Sequence, residues 1–480
     1  MKWLPFAFLL ALLCTGCVPF HAFPSPDCQG TAPAGFTRIF VGKPASKGSH
    51  SGISADDPLD GTTADKFDAI LRTISEGQLP TWGAQKNIGP QNLVVCVMNG
   101  TFETNGFSHT FAGDLQPVDQ LGPDVGFSVG TRWKIHGQGS GQTTLKLVSY
   151  MRQEFTTDSG SMITGGSNTV MSNNSFRTSG IEVSDLTVDA NHDGMTNHNG
   201  VPLNLSAIIL RSVQGGNWIH NVEIKGASGD LGFLNIVYES FAIQIWGEAA
   251  KDGASENGDN LVEHVNVHKP GKAVLSGESA GGKMDGIVIS NASAEVRSNN
   301  VENTIIGYGG WLMRDVNFHD NVAKNVGYGF NADSFTNTAV TLRSNQFIHP
   351  AFYGVVIGGG QPDNVFSGWT VADNSIILGD SRTAGIVLRG HVRNSTFSGN
   401  TIRAERDVHQ AFAIFSYEIA NGFASPENAF EQNKIDKSLL VDFSQDPSFN
   451  SDCRYQNTDL QGNPIQSFGS NSSSPCSTGP

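Results

Sequence analysis

The chain is short of charge. Asp, Glu, Lys and Arg make up only 16% of its 480 residues, and the bases are the scarcer sign, 30 Lys and Arg against 45 Asp and Glu. A net charge of −15 excludes the basic face needed for non-specific binding to nucleic acid or an anionic membrane. An acidic polymer could be held only at a local basic patch. Cysteine is also scarce, with six in all, and beyond residue 17 none has the C-x-x-C or zinc-ligand spacing that would point to a metal or redox motif. Glycine, by contrast, is abundant at 56 residues. Together with frequent Asn, Ser and Thr, it suits many short strands joined by tight turns.

The N-terminus reads as an export signal. Met1-Lys2 supplies a positive start, and Leu4 to Leu13 is an apolar run too short to span a bilayer. Cys14-Thr-Gly-Cys17 resembles a bacterial lipobox, although Cys stands where Leu is usual. Residues 1–16 are then a signal and Cys17 a lipid-attachment site on an outer membrane; ordinary secretion is the alternative. Cys28, Cys96, Cys453 and Cys476 remain, and an oxidising compartment permits disulfides among them. Three pairings exist. Cys453 with Cys476 is the most natural, and Cys28 with Cys96 would pin the N-terminal arm to the first coil.

One short pattern recurs from Val296 to Ile435, with Asn299, Asn321, Asn345, Asn374, Asn400 and Asn433 each three residues after an apolar one. The spacing varies while the pattern holds, so strands are constant and loops are not. Such a period marks a solenoid whose repeats bury their faces against neighbours. The expected fold is an all-β, right-handed parallel β-helix of about ten or eleven coils at ~4.8 Å each, with the asparagines stacked as a ladder. Domain bounds follow: an arm and cap over 17–90, the β-helix over 91–440 and a tail over 441–480. Thr62-Thr63-Ala64-Asp65 opens a cap helix over 62–76, with Phe67, Ile70, Leu71 and Ile74 on one face. Matching Asp185-Leu-Thr-Val188 to Asp315-Val-Asn-Phe318 carries the ladder back to Asn191.

The Asn99-Gly-Thr-Phe102 turn, the coil around Ile135-His-Gly-Gln-Gly139 and the Asn repeats resemble the right-handed parallel β-helix proteins of the pectin-lyase-like superfamily. The resemblance covers about residues 90–440 and implies a monomeric protein acting on polysaccharide. Its marked active sites are not matched. The only Asp-Asp is Asp56-Asp57, Gly390-His391 has no following Gly, and neither an Asp-Pro-His-Asp motif nor the paired arginines of pectate lyases occur.

A second strand in each coil opens with a small residue: Ala207 to Arg211, Ala242 to Trp246, Gly286 to Ser290, Gly329 to Asp333, Gly354 to Gly358 and Gly385 to Arg389. Alternation turns the second and fourth residues inward and the third and fifth outward. Arg211, Trp246, Asp333 and Arg389 then share an outer column, beside Gln244 and Asn331. Arginine to neutralise a uronate and a base to take its C5 proton are what a polyuronate lyase requires. Asp333 and Arg389 are the leading catalytic pair, two coils apart. Lys283, Asp285 and His391 flank the face as further acid or base candidates, and Tyr328 and Tyr353 precede equivalent glycines and are expected to stack. The bland reading is a solvated, salt-bridged face.

Asp189-Ala-Asn191-His-Asp193-Gly194 matches the first half of a calcium loop, but Gly200 takes the place of its Glu. A polar turn is preferred, with calcium at Asp189 and Asp193 the alternative. Gly277-Glu-Ser279-Ala-Gly281 fits G-x-S-x-G but lacks the strand-to-helix context a nucleophile elbow needs. The favoured activity is β-elimination on an acidic glycan. A non-catalytic glycan-binding or structural surface protein is the alternative, and glycoside hydrolysis, which would need a second carboxylate such as Asp285, comes third.

Overall fold

The computed structural model describes residues 23–44, 49–75, 92–107, 129–156, 162–173, 178–195, 203–229, 240–247, 258–268, 284–332, 337–359, 364–379, 383–405, 411–417, 427–445, 452–465 and 474–476. Cys17, Lys283 and Asp333 lie outside them. The chain winds as a right-handed parallel β-helix, built on a 24-stranded and a 12-stranded sheet with a small third sheet at one corner. Inward positions form one continuous column, from Ile39, Val95, Ile135 and Val183 to Val371, Phe397 and Phe430, all buried. Strand alternation drives one side chain in two into this core, and the coil above and below covers it. The solenoid is longer than the span 91–440. It opens with Thr37–Gly42, paired to Leu93–Val97, and closes with Cys453–Tyr455 and Thr458–Asp459.

The asparagine ladder exists and gains Asn457. Each Nδ2 from Asn299 to Asn433 donates to Oδ1 of the next rung at 2.8–3.0 Å. The backbone N–H of the same residue donates to that oxygen too, at 2.9–3.1 Å. The remaining amide hydrogen goes to a carbonyl one coil back, as from Asn321 to Val296 at 2.7 Å. Every interior amide is therefore satisfied, which is what makes burying it tolerable. The residue before each rung, such as Ser298, Asp320, Ser344 or Asp373, takes a left-handed φ of 50–64° to turn the corner.

The register expected for the early coils is off by one strand. Val183, Ile219, Val262 and Val296 align with Phe318, so Leu186, Val222 and Val265 occupy the ladder position and the ladder starts at Asn299. Glu182–Asp189 and Trp218–Lys225 run through the corner as single long strands. Their two halves have the same apolar alternation, which is why the sequence pattern slipped. Asn191 instead caps a turn, with Nδ2 on the Leu147 carbonyl at 2.9 Å.

Helix Ala64–Ser75 closes one end of the core. Phe67, Ile70, Leu71 and Ile74 are buried, and the Phe67 ring meets Phe102 at 5.7 Å. Asp68 ties the helix to the coil below, accepting from Thr104 Oγ1 at 2.6 Å and from the Asn105 backbone N–H at 2.8 Å. Disulfides join Cys28 to Cys96 and Cys453 to Cys476.

Two predictions follow from these contacts. Asn374→Val would orphan two donors of Asn345, at about 1–3 kcal/mol each. Asn299→Val should cost about one such bond less, because Val265 sends it only a backbone N–H. Equal urea midpoints for the two variants would remove the ladder as the cause. Burial pushes the Asp68 carboxyl up to about 6 from 3.8 despite its hydrogen bonds. The folded state thus holds this proton more tightly than the unfolded chain, and the group's contribution is greatest at acid pH and declines as pH rises through about 6. Asp68→Asn should flatten the pH dependence of the unfolding midpoint between about 4 and 6.

Candidate functional site

The outer face of the 12-stranded sheet holds most of the expected site residues. Its geometry starts from the small residue that opens each strand. A Cβ on Gly329 would stand 2.5 Å from the Phe347 ring, and one on Gly385 2.7 Å from Ile402, so the strand lies hard against the opposite wall there. The residue before it and the second residue after it then turn outward together. Tyr353 clusters with Val356, and Phe241 clusters with Ile209 and Val288.

A coil unrecognised in the sequence completes the outer column. Ile306–Trp311 lies between the strands ending at Ser290 and Ala332, and its Gly307, Gly309 and Gly310 hid it among turn-like residues. Trp246, Ser290 and Trp311 stand in register on three successive coils. The two indoles meet edge to face at 6.1 Å and 83°. In the next column Gln244 and Asn331 bracket Val288 and Gly309. The buried side-chain oxygens of Gln244, Ser290 and Asn331 have no hydrogen-bond partner among the described residues.

Further along, Tyr328 and Tyr353 are register partners with ring centroids 5.8 Å apart, tilted by 58° rather than stacked. The Arg389 guanidinium lies 5.4 Å from the Tyr353 ring centre, in cation–π range. Arg211 sits at a register irregularity, its backbone held by Asn173, which accepts from its N–H at 2.7 Å and donates to its carbonyl at 2.6 Å. Asp285 is fully buried, in the row with Phe241 and Ile306. That removes it as an open-surface acid. His391 follows Gly390 (φ +66°) around the corner and leads into Val392–Arg393 of the small third sheet. Burial, and then Arg393, hold its imidazole below the usual range.

The calcium-like motif is not gathered around a common point. Asp189 Oδ1 accepts the Asn191 N–H at 2.8 Å within its own turn, while the exposed Asp193 pairs with His192 at 3.1 Å.

A second polar group, missed in the sequence, lies on the outer face of the 24-stranded sheet. Trp133–His136, Glu182–Asp189 and Trp218–Lys225 are neighbouring strands, so alternation points Lys134, His136, Glu182, Ser184 and His220 outward together. Lys134 Nζ reaches Asp27 Oδ2 at 2.6 Å and Glu182 Oε2 at 3.0 Å. His220 Nε2 stands 3.2 Å from Glu182 Oε1, with its ring stacked on Trp218 at 3.8 Å. Burial pushes the Glu182 carboxyl up, but the His220 hydrogen bond, the charge of His136 and Lys134 outweigh it and hold it at about 2. Burial also keeps His136 below the ordinary imidazole range. Asp27, His136 and Glu182 form the one convergence of three or more His, Cys, Asp or Glu ligand atoms among the described residues. Alternation alone would have paired Lys134 with His136; adding Glu182 and Asp27 needed the coil register and the disulfide.

No protein-family model matches the sequence, and no curated protein matches it. Solved structures resemble its chain course at low identity. The A-module of the Azotobacter vinelandii mannuronan C-5 epimerase AlgE6 is 14% identical over 83% of this chain and 91% of its own, with a TM-score of 0.44. The polygalacturonase of Erwinia carotovora ssp. carotovora is 9% identical over 88% and 99%, with a TM-score of 0.43. The tailspike of E. coli bacteriophage HK620, a mutant in complex with a pentasaccharide, is 10% identical over 84% and 67%, also at 0.43.

Proposed function

We propose that this protein binds a polysaccharide along the outer face of its 12-stranded sheet and cleaves an acidic one by β-elimination. The observation that carries the reading is two aromatic pairs on one face, Trp246 with Trp311 and Tyr328 with Tyr353, beside Gln244, Asn331 and Arg389. Aromatic rings present flat apolar surface to the C–H faces of sugars, and amides address their hydroxyls. In this proposal Arg389 neutralises the uronate carboxylate, the phenolate of Tyr353 or Tyr328 takes the C5 proton, and that proton passes to the O4 oxygen as the C4–O4 bond breaks and the C4=C5 double bond forms. By sequence, Asp333 falls in the outer column and Lys283 in the loop that flanks it. Export, with lipidation at Cys17, is part of the proposal and is supported by the N-terminal apolar run and the two disulfides.

The test incubates the protein with polyuronates and neutral glycans, following ultraviolet absorbance of unsaturated ends and new reducing ends in parallel. Absorbance rising with the reducing ends is the expected result. Trp246→Ala with Trp311→Ala should weaken binding by about tenfold or more, and Arg389→Ala should abolish turnover while leaving the fold intact. Reducing ends without absorbance would make the protein a hydrolase. Binding that depends on the tryptophans, with neither signal, would make it a non-catalytic glycan-binding protein.

A further inference from the structure

We propose that Asp27, His136 and Glu182, on the outer face of the 24-stranded sheet, bind one divalent transition-metal ion of the zinc class. Ser184 has one hydroxyl hydrogen and places it on Asp185 Oδ2, 2.7 Å away. Its oxygen, 2.7 Å from His136 Nδ1, must therefore accept, so that nitrogen carries the ring hydrogen. The lone pair of the ring is then on Nε2, which is fully buried and has no hydrogen-bond partner. It stands 3.6 Å from Asp27 Oδ2 and 4.0 Å from Glu182 Oε1. Donors about 2.0–2.2 Å from a tetrahedral ion are roughly 3.3–3.6 Å apart. All three ligand atoms lie within 4.8 Å of one another, so binding draws the two carboxylates inward toward the imidazole.

The support around these ligands has the form metal sites use. Histidine ligands are commonly held by a hydrogen bond on the far ring nitrogen, and here Ser184 and Asp185 provide one. Asn221 Nδ2 in turn holds Asp185 at 3.2 Å. His220 orients Glu182 from the other side. Asp27 comes from the N-terminal arm, and what delivers it is the bond between its neighbour Cys28 and Cys96, the strand partner of His136. The third ligand is thus placed by an oxidised disulfide.

The Lys134 ammonium bridges the two carboxylates. One positive charge between two negative ones leaves a deficit that a divalent ion removes. Lys134 is a quarter exposed and can swing into water with its proton retained. Metal and lysine therefore compete for the same two carboxylates.

The test titrates zinc chloride into the chelator-treated full chain by calorimetry, with unfolding midpoints measured in parallel. Wild type should take up one ion. Asp27→Asn and His136→Gln should each weaken uptake by about tenfold or more, and reduction of the Cys28–Cys96 bond should do the same. Lys134→Met should bind more tightly than wild type, with its lowered unfolding midpoint restored by the ion. Cobalt absorption bands that disappear in His136→Gln would assign the nitrogen ligand. The proposal is overturned if wild type and Lys134→Met both fail to bind, or if Asp27→Asn and His136→Gln bind as wild type does. Should Lys134→Met not fold, the comparison of wild type with Asp27→Asn decides alone. None of these readouts uses a glycan, so the outcome is independent of the cleavage assay.

Discussion

A parallel β-helix depends on each coil lying in register on the one before it. Its strands are short, often three residues, as in Gln346–Ile348 or Thr396–Ser398, and no single coil encloses a core of its own. The buried amides from Asn299 to Asn457 answer this constraint in the C-terminal half. Each rung binds the next coil's amide, so a slip by one residue would bury unpaired donors as well as turn every inward side chain outward. In the N-terminal half Leu186, Val222 and Val265 fill the same column without amides. There the register rests on the long unbroken strands, the cap helix, the Cys28–Cys96 bond and a shorter amide contact at another corner, Asn217 Nδ2 to Asn260 Oδ1 at 2.7 Å.

This division has consequences for the two outer faces. The 12-stranded sheet is pressed against the opposite wall wherever a glycine or alanine opens the strand, and the bend this makes brings extra side chains outward. Aromatic residues from several coils thereby meet on one surface. The 24-stranded sheet turns its corner without a break in strands Glu182–Asp189 and Trp218–Lys225, and its outer face gathers charge instead. Lys134, Glu182 and His220 lead on to Glu263 and Arg297, which pair at 2.8 Å.

The solenoid was legible in the sequence because Asn at fixed distance from an apolar residue is a one-dimensional pattern. Two features obscured detail. Strands that pass through a corner present two equivalent halves, which displaced Asn191 into a ladder it does not join. A coil rich in glycine, Ile306–Trp311, has too few side chains to show an alternation, and Trp311 was lost with it.

By itself, the sequence determined the fold, the inward and outward alternation, the ladder and the cap helix, since all of these follow from local periodicity along one chain. The partners across coils were decided by the tertiary structure. Asp27, His136, Glu182 and His220 span almost two hundred residues of chain, and Trp246 meets Trp311 across an intervening coil. Loop lengths between coils set those meetings, and a solenoid tolerates almost any loop length. Periodicity therefore says which side chains face outward, while only the stacked register says which of them touch.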